Sequence, residues 1–260
     1  AIDRITSGPG FPMHNFAVIS TPDEIKKLDV REDVLGLHLS GGGDGGKLRF
    51  RGDVTFSVVE FAGDVKRRGG GATGDVDVLI GGDAKKLDFT GGAVDLRTRV
   101  GGEVKQLKQR GGEVSDSRFD IAGELNKAQF AHDVTGCTII SATASVGKFD
   151  AKRSFIDSML LAGTMLDVDF SLDGAAFGAA TIDQVRIRRD MIDAIVSAGA
   201  DPGADGLFEL GDTLPGSVIK RLDVGGPIAG IASPHPNPGI YAAELGRLKF
   251  DSRVGTAVVA

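Results

Sequence analysis

The chain has 260 residues, with 39 glycines, one tyrosine, no tryptophan, 41% hydrophobic residues and a formal net charge of −6. That apolar share excludes a disordered chain, and no apolar run approaches the ~18 residues of a membrane-spanning helix. Lysines and arginines are scattered without a basic block, which argues against nucleic acid as a partner, because phosphate binding needs a concentrated positive face.

In chain order, residues 1–22 show no repeat and hold Gly8, Pro9, Gly10 and Pro12. They are expected to form an irregular cap over the first rung of the repeats. The chain begins at Ala1 rather than Met, which suggests a processed or excised product.

Residues 23–260 are periodic. One half of the repeat reads basic-x-apolar-x-apolar, as in "KKLDV" from Lys26, "KKLDF" from Lys85 and "KRLDV" from Lys220. Its first apolar positions are Leu28, Leu48, Leu87, Leu107, Ala128, Phe149, Val185, Leu222 and Leu248, and the long step from Leu48 to Leu87 hides a degenerate unit near Arg68. The other half reads [DE]-V-x-x-small-x-apolar, as in "DVTFSVV" from Asp53, "EVSDSRF" from Glu113 and "DVTGCTI" from Asp133. Both halves alternate apolar and polar residues with period two, which is strand patterning. Gly-Gly pairs at 81, 91, 101 and 111 separate the halves. They are expected to supply positive φ at corners.

A period of 20–21 residues with short strands in each turn predicts an all-β fold, a single-stranded parallel β-helix of about ten rungs. Leucine-rich repeats would need a recurring Asn and a helical segment, and Rossmann-like domains would need amphipathic helices. Neither pattern is present. Between the two apolar positions of the basic half stand Asp29, Arg49, Gly69, Asp88, Lys108, Gln129, Asp150, Arg186, Asp223 and Lys249. In an in-register stack these face outward, and the series never sets like charges side by side, as cross-strand neighbours prefer.

Two insertions interrupt the period, near 164–178 and 200–216, and are expected to project as loops that carry function. A third excursion is the Pro-rich "SPHPNPG" from Ser233. The C-terminal "VGTAVVA" reads as a final strand cut from a longer chain.

The second insertion carries the sharpest chemical signal, "DPGADGLFELGD". Numbered as a 12-residue calcium loop, it sets Asp201 at 1, Asp205 at 5, Gly206 at 6, Leu207 at 7 through its carbonyl, Glu209 at 9 and Asp212 at 12. That oxygen-ligand spacing suits Ca²⁺, although Gly203 holds position 3 and no helices flank the loop. Asp167, Asp169 and Asp173 make a second, weaker acidic group, which strand-alternate surface aspartates also explain. Cys137 aligns with Ser57, Ser117, Ser158 and Ala194 in a small inward column, with no histidine placed to activate it. His14, His38, His132 and His235 fall on separate rungs or loops. The "RGD" at 51–53 falls at a corner and reads as a chance match.

The "KRLDVGG" and "GRLKFDSRV" units, the "DVTGCTIISA" half-repeat and the "SAGADPGADGLF" insertion resemble large secreted bacterial β-strand-repeat proteins of the autotransporter and filamentous-haemagglutinin adhesin kind. The resemblance spans roughly residues 24–253 and implies an extracellular or cell-surface β-helix, with no catalytic residues to carry over. The expected function is a non-enzymatic structural or adhesive rod. Its expected partners are other surface or matrix proteins or polysaccharide, with self-association through terminal rungs. Two alternatives stand beside it. One is a polysaccharide lyase or glycosidase, which would need converging carboxylates and sugar-stacking aromatics. The other is a filament or coat subunit that stacks end to end.

Overall fold

The computed structural model describes residues 1–7, 17–71, 73–136, 139–167, 172, 175–202, 216–229 and 239–250. Among them there is no helix, and the strands form two long parallel sheets. An eleven-stranded sheet collects the basic half of every repeat, from Ile5–Thr6 to Glu244–Phe250, and a sixteen-stranded sheet collects the other half. The chain is a parallel β-solenoid, and its core lies between the two sheets.

The register follows the repeat at every step. Leu28 pairs with Leu48, Leu48 with Arg68, Arg68 with Leu87, and the column continues through Leu107, Ala128, Phe149, Val185 and Leu222 to Leu248. The side chains from Leu28 to Leu222 are buried, and Leu248, on the last described strand, is half-buried. Stacking also runs back past the boundary set at residue 22. Ile5 pairs with Leu28 and Thr6 with Asp29, while Val18–Thr21 pairs with His38–Gly41. The first residues therefore supply strands to both sheets. Eleven strands at the ~4.8 Å spacing of hydrogen-bonded neighbours make a rod about 50 Å long.

The glycine corners have a different cause from the one the sequence suggested. Of the Gly-Gly residues at 81, 91, 101 and 111, none has positive φ, and Gly112 is the one in these pairs that does. What requires glycine is closeness to the rung before. A Cβ on Gly82 would lie 2.2 Å from the Asp64 carboxylate, and one on Gly102 would lie 2.0 Å from that of Asp83. Those carboxylates are in place because each accepts a backbone N–H from the next rung. Asp44 accepts from Asp64 at 3.0 Å, Asp64 from Asp83 at 2.8 Å and Asp83 from Glu103 at 2.8 Å. The opposite corner repeats the device, Asp33 to Asp53 at 2.9 Å and Asp133 to Ser154 at 2.9 Å. Asp33, Asp44, Asp64, Asp83 and Asp133 thus satisfy corner backbone that no sheet ladder reaches. The RGD triplet is spent on the same structure, since Arg51 pairs with Asp29 and Gly52 packs on Asp33.

Most of the positive φ values among the described residues fall instead in one column across the sixteen-stranded sheet: Gly36, Phe56, Asp75, Asp95, Asp116, Gly136, Asp157 and Asp193. This bend divides each half-repeat into two strand segments. Aspartate and glycine tolerate the left-handed region, whereas Phe56 is a bulky exception, held with its ring 64% exposed. Just inside the bend, serines of the small column satisfy leftover backbone. Ser57 Oγ accepts from Leu37 N at 3.0 Å and donates to the Thr55 carbonyl at 2.8 Å, and Ser117 and Ser158 donate likewise to Ser115 and Ile156. Cys137, aligned with them in the sequence, lies outside the described residues.

The first insertion does not simply project. Thr164–Met165 pairs antiparallel with Ala176–Phe177. Leu166 and Leu172 then cover outward-facing Met159, Leu161, Ile195 and Tyr241 in a second small core. Arg99 ties the segment down by donating to the Asp167 carbonyl at 2.7 Å. The strands Met159–Ala162 and Ile195–Ala198 are consequently buried on both faces, and the insertion is their cover.

Candidate functional site

The sequence column of outward charges is in register at every pair, but its acids are not exposed. Asp29, Asp88 and Asp150 are buried beneath long cationic side chains. Their partners come from flanking columns rather than from above and below. The same diagonal recurs three times, with Arg51 on Asp29 at 3.0 Å, Arg110 on Asp88 at 2.7 Å and Arg188 on Asp150 at 3.4 Å. Asp88 also meets Arg67 and Lys86, each at 3.2 Å. The Arg51 hydrogen bond holds the Asp29 carboxyl below the usual carboxylate range. Burial alone would raise Asp88, but hydrogen bonds from Arg110 and Lys86 and their charges outweigh it, and it too lies low. On the other sheet, burial pushes the Asp120 carboxyl up against the opposing pull of Arg99, 3.0 Å away.

The column one residue N-terminal to the leucines follows a different rule. Lys27 pairs in register with Lys47, and Lys47 with Arg67, cation upon cation. Lys127 on Lys148 and Arg221 on Arg247 repeat the arrangement further along. Lys27 and Lys47 are exposed and make no ion pair among the described residues. Beside them, Gly69 leaves the outward column without a side chain. A depression of about 630 Å³ opens there, lined by the cations Lys27, Lys47, Arg49, Arg51 and Arg67 and by the ion-paired Asp29 and Asp88. Beneath its floor is Arg68, which occupies a leucine position. It is fully buried with no hydrogen-bond partner, and its guanidinium lies 4.7 Å from the Phe89 ring centre and 5.7 Å from that of Phe50. Burial lowers its pKa to about 10.

Charge is therefore sorted by face. Strands of the eleven-stranded sheet carry 15 Lys and Arg against 6 Asp and Glu. Those of the other sheet carry 3 against 5. Along the sequence the same charges are interspersed, with no basic block. The 20-residue period gathers the scattered lysines onto one side, and aligning the residue before each leucine is the signal that would have revealed it.

The calcium loop is not brought into view. Asp201 is half-buried at the end of the sixteen-stranded side, and Asp205, Leu207, Glu209 and Asp212 lie outside the described residues. Of the second acidic group, Asp167 is described, with its carbonyl engaged by Arg99, while Asp169 and Asp173 are outside. No cluster of three or more His, Cys, Asp or Glu able to hold a metal occurs among the described residues. His38 stands 3.5 Å from Glu60 on the sixteen-stranded sheet, and His132 lies apart at a corner. Comparison with protein-family models, curated proteins and solved structures finds no match for the chain.

Proposed function

We propose that the chain is a non-enzymatic structural or adhesive segment of a secreted or cell-surface bacterial protein, a stiff rod that presents its flanks for contact. The observation that carries this reading is the unbroken register of the eleven-stranded sheet, which turns a repeating sequence into straight columns of like side chains about 50 Å long. Such a surface suits extended partners, matrix polysaccharide or surface proteins, better than a small substrate. The two carboxylates nearest the depression favour the same reading. Asp29 and Asp88 are ion-paired and held low, whereas glycosidic cleavage requires an acid with a raised pKa.

Calcium in the Asp201–Asp212 loop belongs to this proposal. Extracellular calcium would fill even a site of ~10⁻⁴–10⁻³ M, and calorimetric titration of metal-free protein is its check. The rod reading itself is tested by antibody against the folded chain. It should label intact, unpermeabilised cells or their shed matrix, and removal of the segment should lower attachment. Labelling that appears only after permeabilisation overturns it.

A further inference from the structure

We infer that the outer face of the eleven-stranded sheet binds a linear acidic polysaccharide lying along the rod, with one of its carboxylate or sulfate groups seated in the depression over Gly69 between Lys27, Lys47 and Arg67. The inference deepens the adhesive reading and rests on it for biological setting, but the binding chemistry stands on this face alone.

Two neighbouring columns on one sheet supply the argument. In the column that holds Asp29 and Asp88, opposite charges are interleaved and each acid is covered by an arginine. In the column of Lys27, Lys47 and Arg67, cations are stacked directly on cations. Like charges opposite one another across strands are destabilising, and nothing in the fold requires them, since Gln106 and Gln184 hold the same column in other rungs. Arg67 shares Asp88 with Lys86 and Arg110, but Lys27 and Lys47 have no counter-charge among the described residues, and a bound polyanion would relieve the repulsion between them. Gly69 removes the side chain that would otherwise fill the space. The buried Arg68 guanidinium adds positive potential from below, where the surrounding medium screens it least.

The shape of the face selects the polymer. Lys27, Lys47 and Arg67 stand on three successive rungs in register, and cations return in most later rungs of the column, so the ligand is linear and repetitive, and a pyranose unit is about as long as a rung is thick. Single-stranded nucleic acid is usually gripped by stacking bases on aromatic side chains, yet the phenylalanines of this sheet point inward. Duplex is read by a helix or ribbon that enters a groove, and this sheet offers neither. A second copy of the chain could bring acidic corners to the basic face, but those carboxylates are already engaged with their own backbone.

The test uses the purified 260-residue chain with five immobilised probes: polygalacturonate, a sulfated polysaccharide, neutral dextran, single-stranded DNA and double-stranded DNA. Polygalacturonate, the sulfated polymer or both should bind, dextran should not, and affinity should fall linearly on a log–log plot against salt, as release of counterions requires. The double variant Lys27→Gln/Lys47→Gln should lose at least tenfold in affinity, while Arg97→Gln on the other sheet changes nothing. Because the lysine changes relieve repulsion, the double variant should also melt no lower than the parent. Absence of binding to both acidic polysaccharides at low salt overturns the inference. So does an undiminished double variant, or tighter and equally variant-sensitive binding to DNA. Failure of polymer binding in a chain found on the cell surface removes this inference and leaves the rod reading. Binding by a chain found only inside the cell does the reverse.

Discussion

Two polar side chains enter the core from the eleven-stranded sheet, and they are treated in opposite ways. Gln109 takes the slot that Phe89 and Phe130 hold in the rungs on either side. Its amide donates to the carbonyls of Gly111 and Gly112, and its oxygen accepts from Ala131 N at 3.0 Å. Arg68 takes the slot of Leu48 and Leu87 and finds no acceptor, only the faces of Phe50 and Phe89. The first is a satisfied intrusion that ties the sheet to its corner. The second is a charge tolerated by polarizable rings and a long flexible stem. Buried polar groups are inexpensive when every hydrogen bond is made and costly when none is.

The largest test places a third polar group in the column. Leu107 lies between Leu87 and Ala128 and is fully buried. Leu107→Asp is expected to cost several kcal/mol, ~4 or more, because a short carboxylate can neither reach a partner nor lie over a ring. Thermal melting and limited proteolysis read the effect. A variant that melts within a degree or two of the parent would mean the column is not packed as described.

Next comes the reverse change, Arg68→Met, which fills the slot with an unbranched apolar chain. The guanidinium pKa, depressed by burial to about 10, corresponds to a burial cost of ~3 kcal/mol. Lost ring contacts and imperfect filling offset part of this, so a gain of ~2 kcal/mol is expected in denaturant unfolding. Loss of stability would show that Arg68 has a partner the geometry does not reveal.

Gln109→Leu should go the other way by ~1 kcal/mol, since it leaves the Gly111 and Gly112 carbonyls and the Ala131 amide without their side-chain partner. The two substitutions both make the core more apolar, yet their signs are opposite. Equal signs would erase the distinction between the two intrusions.

How much of this was legible in the sequence varies with the kind of residue. Leu87, Leu107 and Phe149 announced themselves by period two within the strand and 20 or 21 between strands, and the register followed. Arg68 was visible as an irregularity, because aligning Gly69 with the outward residues sets a cation in the slot that elsewhere takes leucine, but the alignment does not show that the guanidinium stays buried without a partner. The burial of Asp29 and Asp88 was not legible, since their partners Arg51 and Arg110 come from another column of the next rung. The corner aspartates were seen as a motif, but their hydrogen bonds to the following rung appear only once the rungs are stacked. The basic face was within reach, because Lys27, Lys47 and Arg67 stand one place before aligned residues. The alternating signs of the outward column concealed the cationic one beside it.

The smallest effect is a difference of differences, the pH dependence of the gap between the parent and Arg68→Met. A group whose pKa is lowered on folding contributes stability that is present above its unfolded pKa and lost as pH falls through its folded pKa. For Arg68 that window runs from the ordinary guanidinium pKa down to about 10. Between pH 5 and 8 the guanidinium is charged in both states, so its cost is constant and the gap should be flat. The carboxyls of Asp29 and Asp88 are lowered from 3.8, so the stability they contribute is present above that value and lost as pH falls below it. That loss strikes parent and variant alike, because neither acid is a hydrogen-bond partner of Arg68, and both curves should bend downward together while the gap holds. Unfolding measured in denaturant at pH 3, 5, 8 and 10.5 resolves the pattern, with narrowing expected only at the alkaline end. A gap that closes between pH 5 and 8, or as the carboxyls titrate, would identify a titrating partner for the buried guanidinium and make Arg68 a satisfied intrusion like Gln109.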